Sequence, residues 1–125
     1  MITTAKWITA PVDTGFAPVV FRRALTLEKE LKKATLTASA MGIYEACING
    51  VRVGNDLFTP GWTVYDKRLQ YQAYDVTELM TDEVCIDVSV GAGWALSSLG
   101  GKDRPHKMPQ NRKPYGGHAQ VPYRR

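Results

Sequence analysis

The run "IYEACINGVRVG", residues 43–54, carries the strongest local signal in the chain. Tyr44, Ala46 and Ile48 alternate with Glu45 and Cys47, the two-residue period of a strand with one buried face. Asn49-Gly50 then stands between two such short runs. A two-residue type I′ turn needs positive φ at both central positions, which Asn and Gly tolerate best. The stretch therefore predicts a β-hairpin, with Val51 and Val53 continuing the inward pattern on the return strand.

The flanking sequence extends the same pattern. Upstream, "KKATLTASAMG" puts Leu36, Ala38 and Ala40 on one face and Thr35, Thr37 and Ser39 on the other. "VVFRRALTL" (residues 19–27) is β-branched and aromatic with no helix cap. Downstream, "RLQYQAYDV" reads as a strand, and "DVTELMTDE" offers Asp75 as cap to one short helical turn. "VCIDVSVGAGW" directs Val84, Ile86, Val88 and Val90 inward. No segment before Gly100 sustains helical apolar spacing beyond about two turns. Several short strands joined by turn residues predict an all-β, antiparallel β-sandwich.

A chain of 125 residues is enough for one domain and too short for a second, large catalytic one. Hydrophobic residues are 44% and charged residues 22%, ordinary globular usage. No apolar run is long enough to span a membrane, and the N-terminus lacks a basic-then-apolar leader. Cys47 and Cys85 fall in no ligand-like spacing, so two reduced thiols in a cytoplasmic protein are expected, with a single disulfide between them as the alternative. The net charge of +4 is unevenly placed: residues 1–100 balance to −2, whereas 101–125 carry seven Lys/Arg against one Asp. That last segment holds four prolines and few aliphatics. It is expected to be a basic, Pro-rich tail, with the domain boundary near Gly100-Gly101. Such a tail could meet nucleic acid electrostatically, but a solvated extension is the favoured reading of its composition.

Catalytic chemistry is sparse. A glycosidase needs two carboxylates facing each other about 5–10 Å apart. Glu28, Glu30, Glu45, Asp56, Asp66, Asp75 and Glu78 mostly fall on solvent faces, turns or caps. His106 and His118 lie in the tail, and Ser97 and Ser98 have no partner His or nucleophile-elbow pattern. Cys/His metal spacing is absent, and "GAGW" lacks the spacing of a phosphate loop. No cofactor is expected, with a calcium site built from loop carbonyls and Asp or Asn left open.

The order of motifs from residue 42 onward resembles the N-terminal β-domain of bacterial α-L-rhamnosidases of glycoside hydrolase family 78. It is carried by "GIYE" (42–45), "NGVRVG" (49–54), "PGWTVY" (60–65), "KR" (67–68), "QYQ" (70–72), "YDVT" (74–77) and "GW" (93–94), after "KWITAP" and "FRRALTL". The resemblance covers most of residues 6 to about 100. It implies a jelly-roll, galactose-binding-like sandwich, here incomplete, ahead of an (α/α)6 catalytic barrel that removes terminal L-rhamnose with inversion. No pattern for that barrel occurs in this chain, which looks like an N-terminal fragment or a truncated product. The remainder of such an enzyme is therefore an expected partner.

Residues 60–77, "PGWTVYDKRLQYQAYDVT", concentrate one Trp and three Tyr among charged and amide side chains. Sugars are gripped by aromatic platforms with Asp, Asn or Arg on their hydroxyls. Trp62, Tyr65, Asp66, Arg68 and Trp94 are thus the candidate residues for a rhamnose-containing carbohydrate, although a structural use is the more ordinary reading of any one of them, since buried Trp and Tyr usually anchor cores. A purely structural sandwich that packs on a catalytic part is the alternative, and a basic nucleic-acid-binding domain the third reading. A sandwich ending near Trp94 would also leave strand edges uncovered, which predicts a homodimer or higher oligomer.

Overall fold

A computed structural model describes residues 5–12, 14, 17–64 and 67–96. Six strands run in chain order: β1 (Val19–Thr26), β2 (Thr35–Ala38), β3 (Ile43–Ile48), β4 (Val51–Arg52), β5 (Gln72–Asp75) and β6 (Glu83–Gly91). A 3-10 turn (Thr77–Leu79) precedes β6, and one short helical turn, α1 (Gly93–Leu96), follows it. Both sheets are antiparallel: one of four strands ordered β1-β6-β3-β4, the other of two, β2-β5.

The alternation in sequence becomes the division between core and solvent. β6 pairs along its length with β1 (Val19↔Val90 to Thr26↔Glu83) and with β3 (Ile43↔Gly91 to Ile48↔Ile86). Val84, Ile86, Val88 and Val90 from β6 and Tyr44, Ala46 and Ile48 from β3 are all buried. They form one apolar cluster with Leu36, Ala38 and Ala40 from the segment that begins with β2. Side chains from both sheets thus share a single core, removing apolar area from water between them. Asn49 and Gly50 have φ of 51° and 79°, the positive pair expected of the hairpin. Asn49 also ties the turn to β6, its Oδ1 accepting the Cys85 N–H at 2.8 Å.

Four expectations need correction. Val51 is 52% exposed, because β4 is a two-residue strand at the sheet edge, paired on one side only. Ser39 is buried: strand pairing ends at Ala38, and the loop ahead of β5 comes close enough for the Ser39 hydroxyl to donate to the Gln70 carbonyl at 2.6 Å. The strand expected from residue 68 starts only at Gln72. Asp75 does not cap the 3-10 turn from its N-cap position, which Val76 occupies. Instead its carboxylate accepts the Thr77 N–H (3.0 Å) and hydroxyl (2.6 Å) two residues ahead, and these bonds lower its pKa.

On the outer face of the larger sheet, Arg22 of β1 grips Asp87 of β6 with Nε and a terminal nitrogen, at 2.6 and 2.9 Å. That bond holds the Asp87 carboxyl below the ordinary carboxylate range. Cys47 and Cys85 are free thiols on the same sheet, with Cys47 raised in pKa by burial. No described helix is long and apolar enough to cross a membrane.

Candidate functional site: a ring-bearing loop pinned to both sheets

The register puts the start of β3 and the end of β6 at the same end of the larger sheet. The loop between β4 and β5 crosses that end, and it carries Leu57, Phe58, Trp62, Val64 and Tyr71, each more than half exposed. Five large apolar side chains within fifteen residues are thus left exposed rather than packed into the core.

The loop is nonetheless anchored. Tyr44 and Thr59 form a bridge in which the Tyr44 N–H donates to the Thr59 carbonyl (2.8 Å) and the Thr59 hydroxyl to the Tyr44 carbonyl (2.7 Å). The Thr59–Pro60 peptide is cis, and both residues are buried. The Tyr44 ring spans the core, and its hydroxyl meets the second sheet at Gln72 Oε1 (2.7 Å) and the Ala38 carbonyl (3.3 Å). Gln72 Nε2 in turn donates to the Pro60 carbonyl at 3.2 Å. Burial keeps the Tyr44 phenol protonated far above its ordinary range, so the hydroxyl acts as a donor at any physiological pH. No buried side-chain N or O atom among the described residues lacks a partner.

Around this anchor the candidate residues separate. Trp62 is 61% exposed, two residues beyond Pro60, with Gly61 between them at φ 99°. Arg68 is exposed, and its backbone closes the loop: its carbonyl accepts from the Thr63 hydroxyl (2.6 Å) and its N–H donates to the Val64 carbonyl (2.8 Å). Trp94, on α1, is half-buried against Phe58, with ring centroids 5.6 Å apart and planes inclined by 55°. Phe58 itself holds φ 56°, rare for a bulky side chain. Tyr65 and Asp66 lie outside the described residues, as do Ser97, Ser98, His106, His118 and the whole of residues 101–125, on which the nucleic-acid reading rested.

Sequence reasoning missed Phe58, Gln72 and the role of Tyr44. Alternation marks Tyr44 as core, but nothing local indicates where its hydroxyl goes. The opposite end of the sheet holds an open cleft of about 520 Å³ between residues 27–31 and Thr77, Met80, Thr81 and Asp82, without an aromatic ring. Among the described residues no group of three or more His, Cys, Asp or Glu is placed to hold a metal ion.

Residues 29–123 match the family model described as the α-L-rhamnosidase N-terminal domain. The chain belongs to that family. The matched span includes most of the basic C-terminal segment. An α-L-rhamnosidase of Streptomyces avermitilis is 45% identical over 73 residues, covering 58% of this chain and 7% of that protein. One from Formosa agariphila is 35% identical over 107 residues, or 77% of this chain and 12% of the relative. Among solved structures, the Aspergillus terreus α-L-rhamnosidase superposes with a TM-score of 0.70 at 35% identity, over 91% of this chain and 12% of its own. The Streptomyces avermitilis enzyme complexed with L-rhamnose gives 0.66 at 37%, over 84% and 10%. The domain thus spans about a tenth of the length of these rhamnosidases.

Proposed function

We propose that the domain is a non-catalytic N-terminal module of an α-L-rhamnosidase, a jelly-roll-like sandwich whose ring-bearing end contacts rhamnose-containing carbohydrate. Hydrolysis of terminal α-L-rhamnose belongs, in this reading, to another part of a longer polypeptide. The observation that carries the proposal is the Trp62 indole, 61% exposed on a loop held by buried hydrogen bonds. An exposed aromatic face on an anchored loop suits the C–H face of a sugar, because the backbone that carries it is already ordered before binding. Arg68 on the same loop is a donor suited to sugar hydroxyls.

A second reading has its own observation. Leu57 and Val64 are 71% and 61% exposed, and aliphatic side chains offer a sugar no aromatic platform. Their exposure favours a structural role, in which the loop packs on the catalytic part of the same polypeptide. Titrating L-rhamnose and rhamnosides into the protein, with and without calcium, separates the two. Carbohydrate contact predicts a saturable change in the Trp62 indole signal that Trp62→Ala abolishes; no change at millimolar sugar leaves the packing role. The purified chain should release no nitrophenol from a nitrophenyl α-L-rhamnoside, and enzyme-dependent release would overturn the non-catalytic assignment.

A further inference from the structure

The peptide unit between Pro60 and Gly61 is bonded on both sides. Its carbonyl accepts from Gln72 Nε2 at 3.2 Å, and its N–H donates to the Phe58 carbonyl at 3.0 Å. Gly61 follows at φ 99°, and Trp62 comes next. The plane of this one peptide, together with the Gly61 torsions, therefore sets the direction in which the chain leaves toward the indole.

Gln72 holds that plane in one sense only. The Pro60 carbonyl can only accept, so the NH2 of the Gln72 amide must face it. Oε1 then faces the Tyr44 hydroxyl at 2.7 Å, which has a proton to give. Tyr44 is anchored in the larger sheet, and its hydroxyl also reaches the Ala38 carbonyl of β2. A chain of directed bonds thus runs from the larger sheet through the core to β5 and on to the loop.

We propose that Gln72 is a positioning residue: its amide, oriented by the Tyr44 hydroxyl, fixes the Pro60–Gly61 peptide and thereby presents the Trp62 indole for carbohydrate contact. Its carbohydrate clause rests on the function proposed above; the positioning of Trp62 does not. Gln72→Glu preserves the shape and exposes the logic. An ionised carboxylate can accept from Tyr44 but has nothing to donate to Pro60, so two acceptors face each other. A protonated carboxyl restores a donor.

In 15N–1H spectra of the full chain, the Trp62 indole cross-peak of Gln72→Glu should shift and broaden at about pH 7 and return toward the wild-type position at about pH 4, as the carboxyl takes up a proton. Gln72→Met, which has no donor and only a weak thioether acceptor, should displace the peak at both pH values. Amide signals of Ile48 and Val88 should stay in place and report an intact core. L-rhamnose affinity should fall about tenfold in both variants at neutral pH and recover only in the Glu variant on acidification. A Met variant with an unmoved, sharp Trp62 signal overturns the proposal, as does a Glu variant without pH dependence. A wild-type protein silent to L-rhamnose refutes the carbohydrate clause alone, and the Trp62 signals still decide the role of Gln72.

Discussion

Tyr44→Phe removes one oxygen and leaves the ring that fills the space between the sheets. The hydroxyl donates at 2.7 Å to Gln72 Oε1 and lies 3.3 Å from the Ala38 carbonyl. Without it Gln72 Oε1 loses its donor in a part-buried site, while the apolar area buried by the ring hardly changes. Leaving a buried acceptor unpaired costs about 1–3 kcal/mol, so that is the expected loss in unfolding free energy. For a domain of this size each kcal/mol lowers the thermal midpoint by roughly 4–8 °C. Urea unfolding followed by Trp fluorescence gives the free energy, and Tyr71→Phe, at an exposed tyrosine, serves as control within about 0.5 kcal/mol of wild type. The two variants should also differ in alkali. Burial keeps the folded Tyr44 phenol protonated, whereas in the unfolded chain it ionises near pH 10. Wild-type stability therefore falls as pH rises past about 10, and the gap to Tyr44→Phe should narrow. If Tyr44→Phe is as silent as Tyr71→Phe, and equally so at high pH, the inter-sheet bond carries no stability and the argument fails.

Four further outcomes are expected. Gly50→Val should cost about 1 kcal/mol or more from its positive φ alone, since nothing lies within 4 Å of a Cβ there; an unchanged denaturation midpoint would refute the hairpin argument. Gly54→Ala should be worse, about 2–3 kcal/mol, because its Cβ would meet the Tyr74 ring at 2.5 Å and that ring is tied to Asp56; parity with Gly50→Ala in the same assay counts against it. Asp87 should titrate by NMR below the ordinary carboxylate range and move up in Arg22→Ala, its stabilising contribution being present above the unfolded-state pKa and lost as pH falls through the folded one; an ordinary midpoint in wild type contradicts this. Finally, β1 pairs only with β6 among the described strands, so its other eight-residue edge has no strand partner among the described residues; sedimentation at high micromolar concentration should show a dimer, and a clean monomer would rule out edge pairing.

What the sequence determined by itself is the local geometry. Alternation in "VCIDVSV" and "IYEACI" names the buried faces of β6 and β3, because a strand turns every second side chain to the same side. Asn49-Gly50 specifies its own turn, because positive φ is a property of those two residues. Tertiary structure decided everything that depends on a neighbour distant in the chain. Val51 has the pattern of a core residue and Ser39 that of a surface one. Their exposure was reversed by the edge position of β4 and by the Gln70 carbonyl that comes to the Ser39 hydroxyl from 31 residues away. The ring loop shows the division most clearly. Its aromatic composition is visible in the sequence, but whether Trp62 faces water, and what holds it there, depends on Tyr44 reaching Gln72 across 28 residues of chain and Gln72 reaching Pro60 across 12. A hydrogen-bonding side chain carries no local mark of its partner, so that network exists only once two sheets have closed over one core.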